Sequence, residues 1–296
     1  MRRHFLPALA ASVVAATTLT LAQEQVDRDM QWKIRREARE HSQILRTLHY
    51  LTDVYGPRLT GSPNLKAAQD WVVTETTKWG LKNAHLEPWE FGHPGWVNEK
   101  LSVHVVSPVK DALVTEALAW TPGTNGPVTA AAVQLIVPAR PTKTELERFF
   151  DDNRARVKGR IVLVGAATPV PVTIQPPPKR REDNDVRTQY SPSNPVTPQP
   201  PAAPVAPVNP DLVAPGALVE QVDQFLVSAG AVGRVNDAGR EHGQIRAFNN
   251  RTFDVTKAVP TVVMRNEDYG RLSRLLADGL IVQLELDIVN RTYPEG

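Results

Sequence analysis

The sequence predicts an α/β (α+β) protein in which helices lead and a strand-rich region with flanking helices follows. Three observations carry this. Apolar residues recur at three- and four-residue steps over 34–51 and 65–79, the period of an amphipathic helix. Apolar or alternating runs at 101–106, 131–137 and 160–165 have strand length and strand pattern. From residue 212 onward, helical stripes and short apolar strands alternate, which suggests a small mixed sheet with helices packed on it.

Before these elements comes a leader. Arg2, Arg3 and His4 make a basic start, and an apolar run from Phe5 to Leu21 is diluted by Ser12, Thr17, Thr18 and Thr20. Thr20-Leu21-Ala22 places small residues where a signal peptidase reads them, so residues 1–22 read as a signal peptide cleaved after Ala22. The alternative, an uncleaved anchor, needs about 20 undiluted apolar residues. The mature chain is therefore expected in a periplasm or outside the cell, off the membrane.

Ile34, Ala38, His41, Ile44, Leu45, Leu48 and Leu51 make one helical stripe that stops before Tyr55-Gly56-Pro57. Ser62 is an N-cap with Pro63 in the first turn, and Leu65, Ala68, Trp71, Val72 and Trp79 carry a second helix to Gly80. His85 to Phe91 alternates as a half-buried strand. Strands are expected at Leu101–Val106, Ala131–Val137 and Arg160–Gly165, with a helix over Thr144–Val157 capped by Thr144. Residues 169–215 hold 14 of the 26 prolines and the charged cluster Lys179–Asp183. Proline fixes φ and removes a backbone donor, so this stretch reads as a loop or polyproline II spacer, with a recognition ligand as the sharper alternative. Leu218, Val222, Phe225, Leu226 and Ala229 form a helical stripe ending at Gly230, followed by a strand at Ala231–Val235. Val259–Met264 is a strand, Asn266 caps a helix through Tyr269, Leu272, Leu275 and Leu276 to Gly279, and Ile281–Val289 is the last strand.

The 296 residues suit one large or two modest domains. Cysteine is absent, which excludes disulfides, thiolate nucleophiles and cysteine-ligated metals. Basic and acidic residues number 34 and 32, and loss of the leader removes two arginines and no acid. A charge near zero argues against nucleic acid as partner.

Catalytic signatures are missing. There is no H-E-x-x-H, no His-x-Asp, no G-x-S-x-G, no P-loop and no G-x-G-x-x-G. His85 and Glu87 come nearest to a metal pair, but a half-exposed strand histidine is the plainer reading. His41 and His49 lie two turns apart on one helix, too far to share an ion. His104 is expected on the polar side of its strand and His93 in a turn. Ala229–Gly233 reads as a helix stop. Asn250-Arg251-Thr252 and Asn290-Arg291-Thr292 match the N-glycosylation triplet, a match that chance often makes. Trp89, Phe91 and Trp96 could line a pocket, with a packed core the commoner role. No catalytic, cofactor-binding or metal residue is assigned.

The segment Leu51-Thr52-Asp53-Val54-Tyr55-Gly56-Pro57-Arg58-Leu59-Thr60-Gly61-Ser62-Pro63 resembles the opening of exported zinc exopeptidases with two co-catalytic metals, nearest the carboxypeptidase Q branch of the aminopeptidase family. Arg58 would bond loop carbonyls or a carboxylate there. Trp79-Gly80-Leu81, Glu87–Phe91 and Gly95-Trp96 extend the similarity. Arg156–Val164, Phe225–Gly233 and Val259–Tyr269 resemble, in order, the steps of the protease-associated (PA) domain that this branch inserts. The resemblance implies an N-terminal segment of a peptidase domain at 23–97, a PA-like domain at 98–290 containing the proline-rich loop 169–215, and a return toward the catalytic domain at 291–296. It implies hydrolysis of terminal peptide bonds in a peptide or dipeptide substrate by an enzyme holding two zinc ions, with a homodimer left open. The family's metal ligands follow the inserted domain and have no counterpart here. The chain is thus expected to be an N-terminal portion of such an enzyme, inactive alone. The rival expectation is a complete, non-catalytic PA-domain binding protein. A third, an unrelated exported structural module, is opposed by the motifs at 50–96.

Overall fold

A computed structural model of the protein describes residues 26–171, 173–175, 180–191 and 209–293. Residues 1–25, which hold the expected signal peptide, most of the proline-rich stretch and residues 294–296 lie outside the described residues. The fold is α/β, and the chain divides into two units, residues 1–57 and 58–296.

The first unit is helical. Helix α1 (Arg28–Glu40) is capped by Asp27, whose carboxylate accepts from Met30 N at 2.9 Å. Helix α2 (Ile44–His49) runs into a π-helical turn (Tyr50–Val54), where Tyr55 N reaches back to Tyr50 O. The single stripe expected over 34–51 is therefore broken at His41–Gln43. Gln43 Nε2 donates to His41 O and Ile44 N donates to Ser42 Oγ, so local side-chain bonds replace the helical ladder. None of the residues of α1 or α2 is buried.

The second unit opens with α3 (Pro63–Lys78), capped as expected by Ser62, whose Oγ accepts from Leu65 N. It stops at Gly80, whose φ of +90° lets Leu81 N bond Thr76 O, a closure that favours glycine. His85–Phe91 is not a strand: alternation supplies a face, but a strand also needs a ladder partner, and Pro88 lacks a donor.

The strands are β1 (Gly95–Ser107), β2 (Asp111–Ala112), β3 (Thr115–Ala117), β4 (Val128–Leu135), β5 (Ile161–Val164), β6 (Gly233–Asp237), β7 (Thr261–Met264) and β8 (Gln283–Tyr293). They form one sheet in the order β2-β1-β8-β4-β5-β6-β7-β3. Strands β4 to β7 are parallel, and the others join antiparallel. The long β1–β8 ladder pairs Gly95 with Tyr293 at one end and Ser107 with Gln283 at the other. Strands β1 and β3 also touch, so the sheet curls back toward itself.

The helices of this region are α4 (Lys143–Val157), α5 (Asp183–Tyr190), α6 (Pro215–Ala229) and α7 (Asn266–Ala277). Burial on both faces explains the unbroken apolar runs of β5 and β7. Ile161 and Leu163 point into a core with Val235, Met264, Leu284, Leu286 and the α7 residues Tyr269 and Leu272. Val162 points the other way, with Val157, Phe225 and Leu226 of α4 and α6.

Two caps differ from expectation. Thr142, not Thr144, starts α4: its Oγ1 accepts from Glu145 N while Glu145 Oε2 accepts from Thr142 N, a reciprocal capping box. Asn266 lies inside the first turn of α7, where Arg265 holds the cap position; its side chain is used elsewhere, as described below. Helix α5 interrupts the expected spacer, because residues 180–191 contain no proline and Asp183 and Asp185 suit a first turn. Strand β6 starts at Gly233 rather than Ala231, since Gly230 (φ +74°) and Ala231 still close α6 through bonds to Val227 O and Leu226 O.

Candidate functional site

The histidines do not converge. His41 Nδ1 lies 2.9 Å from Glu37, and His49 Nδ1 lies 2.7 Å from Asp53, each pair one helical turn apart and exposed. Bonds from His49 and Thr52 hold the Asp53 carboxyl below its usual value. His85 Nε2 stands 3.3 Å from Glu87, both in solvent. His104 is half-exposed beside Glu285, on the polar side expected, between buried Val103 and Val105. His93 stacks on Phe253 at 4.2 Å. Among the described residues, no three His, Asp or Glu side chains are placed to share a metal.

The aromatic residues separate. Trp96 is buried with Trp120 and Ala119, and Phe91 and Phe253 pack on them. The indole of Trp96 donates to Thr121 O, and that of Trp120 to Pro94 O. Trp89 stays exposed, edge-on to Phe91. Asn250, which begins a glycosylation-type triplet, is 4% exposed. Its amide donates to Trp120 O and Asp254 O, and its Oδ1 accepts from Thr252, so the amide nitrogen is fully used inside the fold. Asn290 likewise donates to Thr121 O and Pro122 O.

A concave site forms where none was expected, beyond the carboxyl ends of β5 and β6. That is where open α/β sheets leave room for ligands, because the loops leaving parallel strands splay apart there. Asp237, the last residue of β6, ties three segments together. Its carboxylate accepts from Thr168 N at 2.7 Å, from Gly239 N at 3.0 Å and from the Asn266 amide at 3.0 Å. Asn266 also donates to Thr168 O. Behind this knot Gly165 O receives Tyr269 OH at 2.8 Å and Gln134 Nε2 at 2.9 Å. Burial, with the nearby Asp237 charge, pushes the Tyr269 phenol well above its usual range, so it remains a donor.

In front of the knot is a groove of about 500 Å³. Val170 and Pro171 line it from the loop after β5; Arg240, Glu241, Arg246 and Phe248 line it from the loop after β6. Glu241 accepts from Thr173 Oγ1 at 2.6 Å. The Arg246 guanidinium lies 4.6 Å over the Phe248 ring. Neither Arg240 nor Arg246 has a carboxylate partner among the described residues. Sequence reasoning left 236–249 unread; a polar, arginine-bearing loop directly after an apolar parallel strand was the available signal. On the opposite face Asp223 of α6 and Arg234 of β6 make a buried ion pair, with Arg234 Nε also on Asn236. Burial raises the Asp223 carboxyl despite the arginine.

No protein-family model and no curated protein matches the chain. Solved structures do. The fold is similar to a peptidase M28 precursor from Shewanella amazonensis SB2B over 90% of this chain and 51% of that one, with TM-score 0.50 and 18% identity. An aminopeptidase from Aneurinibacillus sp. strain AM-1 gives TM-score 0.40 at 13% identity, over 84% of this chain and 45% of that one. The zinc aminopeptidase BSAP from Bacillus subtilis gives 0.42 at 14%, over 83% and 42%. The chain thus spans about half the length of the solved structures it matches, and the likeness is one of fold.

Proposed function

We propose that this chain is part of an exported zinc exopeptidase that hydrolyses terminal peptide bonds of peptides or dipeptides. The observation that carries the reading is the fold likeness to an M28 peptidase precursor over 90% of the chain. The Tyr55-Gly56-Pro57-Arg58-Leu59-Thr60-Gly61-Ser62 segment supports the same family from the sequence side. In this reading residues 1–22 direct export and are removed after Ala22. Residues 23–97 belong to the peptidase domain, and 98–290 form a PA-like insert.

Among the described residues, the donor set does not fit zinc. Each described histidine near a carboxylate meets a single one, most of them in solvent, and no third donor joins any pair. No hydrolytic step is therefore derived from the described residues, and the proposed reading looks for the metal ligands in further polypeptide. The test is at the gene and then at the bench. The reading frame continued beyond Gly296 should encode a His-x-Asp and a later Glu-Glu. That longer protein should release amino acids from dipeptides, lose the activity to a chelator and regain it with zinc. A continued frame lacking those residues, or a longer protein without zinc-dependent release, overturns the reading in favour of a non-catalytic binding protein.

A further inference from the structure

We propose that the groove beyond β5 and β6 binds an acidic peptide segment, its side-chain carboxylates held by Arg240 and Arg246 and a neighbouring apolar side chain laid on Phe248 and Pro171. The inference does not rest on the exopeptidase reading. It rests on how this groove is built.

The loop that carries both arginines is tied down at several points. The Asp237 knot holds its start, Gly243 N donates to Glu267 Oε1 of α7, and Asn250 N donates to Ala119 O at its end. Such a loop presents its side chains at small entropic cost on binding. The charge in the groove favours anions. Glu241, the one carboxylate of the lining, accepts from the Thr173 hydroxyl, and the two guanidinium groups, which outnumber it, have no carboxylate partner among the described residues. The Arg246 guanidinium carbon lies over the Phe248 ring, and a guanidinium held on an aromatic face can still offer N–H groups to a carboxylate. Phe248 is 62% exposed, a large apolar surface standing in solvent opposite Val170 and Pro171. A free phosphate would use the arginines and leave that apolar wall uncovered, and a chain with 34 basic against 32 acidic residues lacks the broad basic surface that nucleic acid needs. A peptide with an acid beside an aromatic or aliphatic residue uses both.

The experiment is a fluorescence-anisotropy titration of the whole chain. The probe is a labelled, C-terminally amidated hexapeptide with two glutamates flanking a phenylalanine; the control peptide has glutamines in their place. Saturable binding of the glutamate peptide is expected, at least tenfold weaker for the control. Arg240→Ala and Arg246→Ala should each raise Kd about two- to fivefold and the pair about tenfold, as for exposed charge pairs. Phe248→Ala should raise it about fivefold through lost stacking, whereas Arg240→Lys, which keeps the charge at a position with no ring contact, should stay within about twofold of the parent. All three residues are exposed, so the variants should keep the parent's thermal midpoint. No saturable binding, equal binding of the glutamine peptide, or an unchanged Kd in the R240A/R246A variant overturns the proposal. Neither zinc nor amino-acid release enters the assay, so its failure and that of the exopeptidase reading are separate results.

Discussion

Replacing Gly95 by alanine should unseat the turn that starts α3. A Cβ built on Gly95 lies 2.0 Å from Gly61 O, 2.5 Å from Gly61 C and 3.1 Å from Gly61 Cα. Ordinary contact begins near 3.4 Å, so the two backbones must part by about 1.4 Å. No rotamer change can relieve this, because both sides of the clash are main chain. On one side the shift pulls at Ser62, whose hydroxyl caps α3; on the other it pulls at Trp96, buried against Trp120. Overpacking costs about 1–3 kcal/mol where side chains can adjust, so about 3 kcal/mol is expected here. The control is Gly126→Ala, where φ is +74° and nothing lies within 4 Å of the new Cβ. There only left-handed strain applies, about 1–2 kcal/mol. Urea unfolding reads both: at a slope near 3 kcal/mol/M, G95A should lower the midpoint by about 1 M with the slope unchanged. A G95A midpoint within about 0.2 M of the parent, or a larger effect from G126A, refutes the close-approach argument.

Two further outcomes follow from buried polar groups. Asn250→Ala leaves the carbonyls of Trp120 and Asp254 and the Thr252 N–H without their side-chain partner, and should cost about 3 kcal/mol by the same unfolding assay; a loss below about 1 kcal/mol would show that water takes over these bonds. The Asp223 carboxyl sits above 3.8 in the folded chain because burial outweighs Arg234. Between 3.8 and the folded value the native state holds a proton that the unfolded state has released, so stability falls as pH rises through that window. Asp223→Asn should remove this slope and Arg234→Met should steepen it; identical slopes in the parent and D223N would contradict the burial argument.

Local rules made much of the fold legible. Ser62 with Pro63, Gly80, Gly230 and the acidic first turn of α7 act within a few residues of themselves, and each sits at or within a residue or two of the expected boundary. The apolar runs at 161–164 and 261–264 are four-residue strands, too short for a helix to bury them all round, and they lie in the parallel part of the sheet that is covered on both faces. Errors arose where a distant partner decided. His85–Phe91 alternates but finds no neighbouring strand. Thr142 wins the cap from Thr144 because Glu145 stands three residues on from it. Asn266 is drawn from capping by Asp237, 29 positions away.

By itself, then, the sequence determined the α/β class, the helix ends at Ser62, Gly80 and Gly230, and the absence of cysteine chemistry, since all of these depend on composition or on residues close along the chain. Only the tertiary structure decided the strand order, the burial of Asn250, and the groove of Arg240, Arg246 and Phe248. That groove exists because Asp237 bonds Thr168, Gly239 and Asn266 at once, and such a knot joins residues that no spacing rule relates.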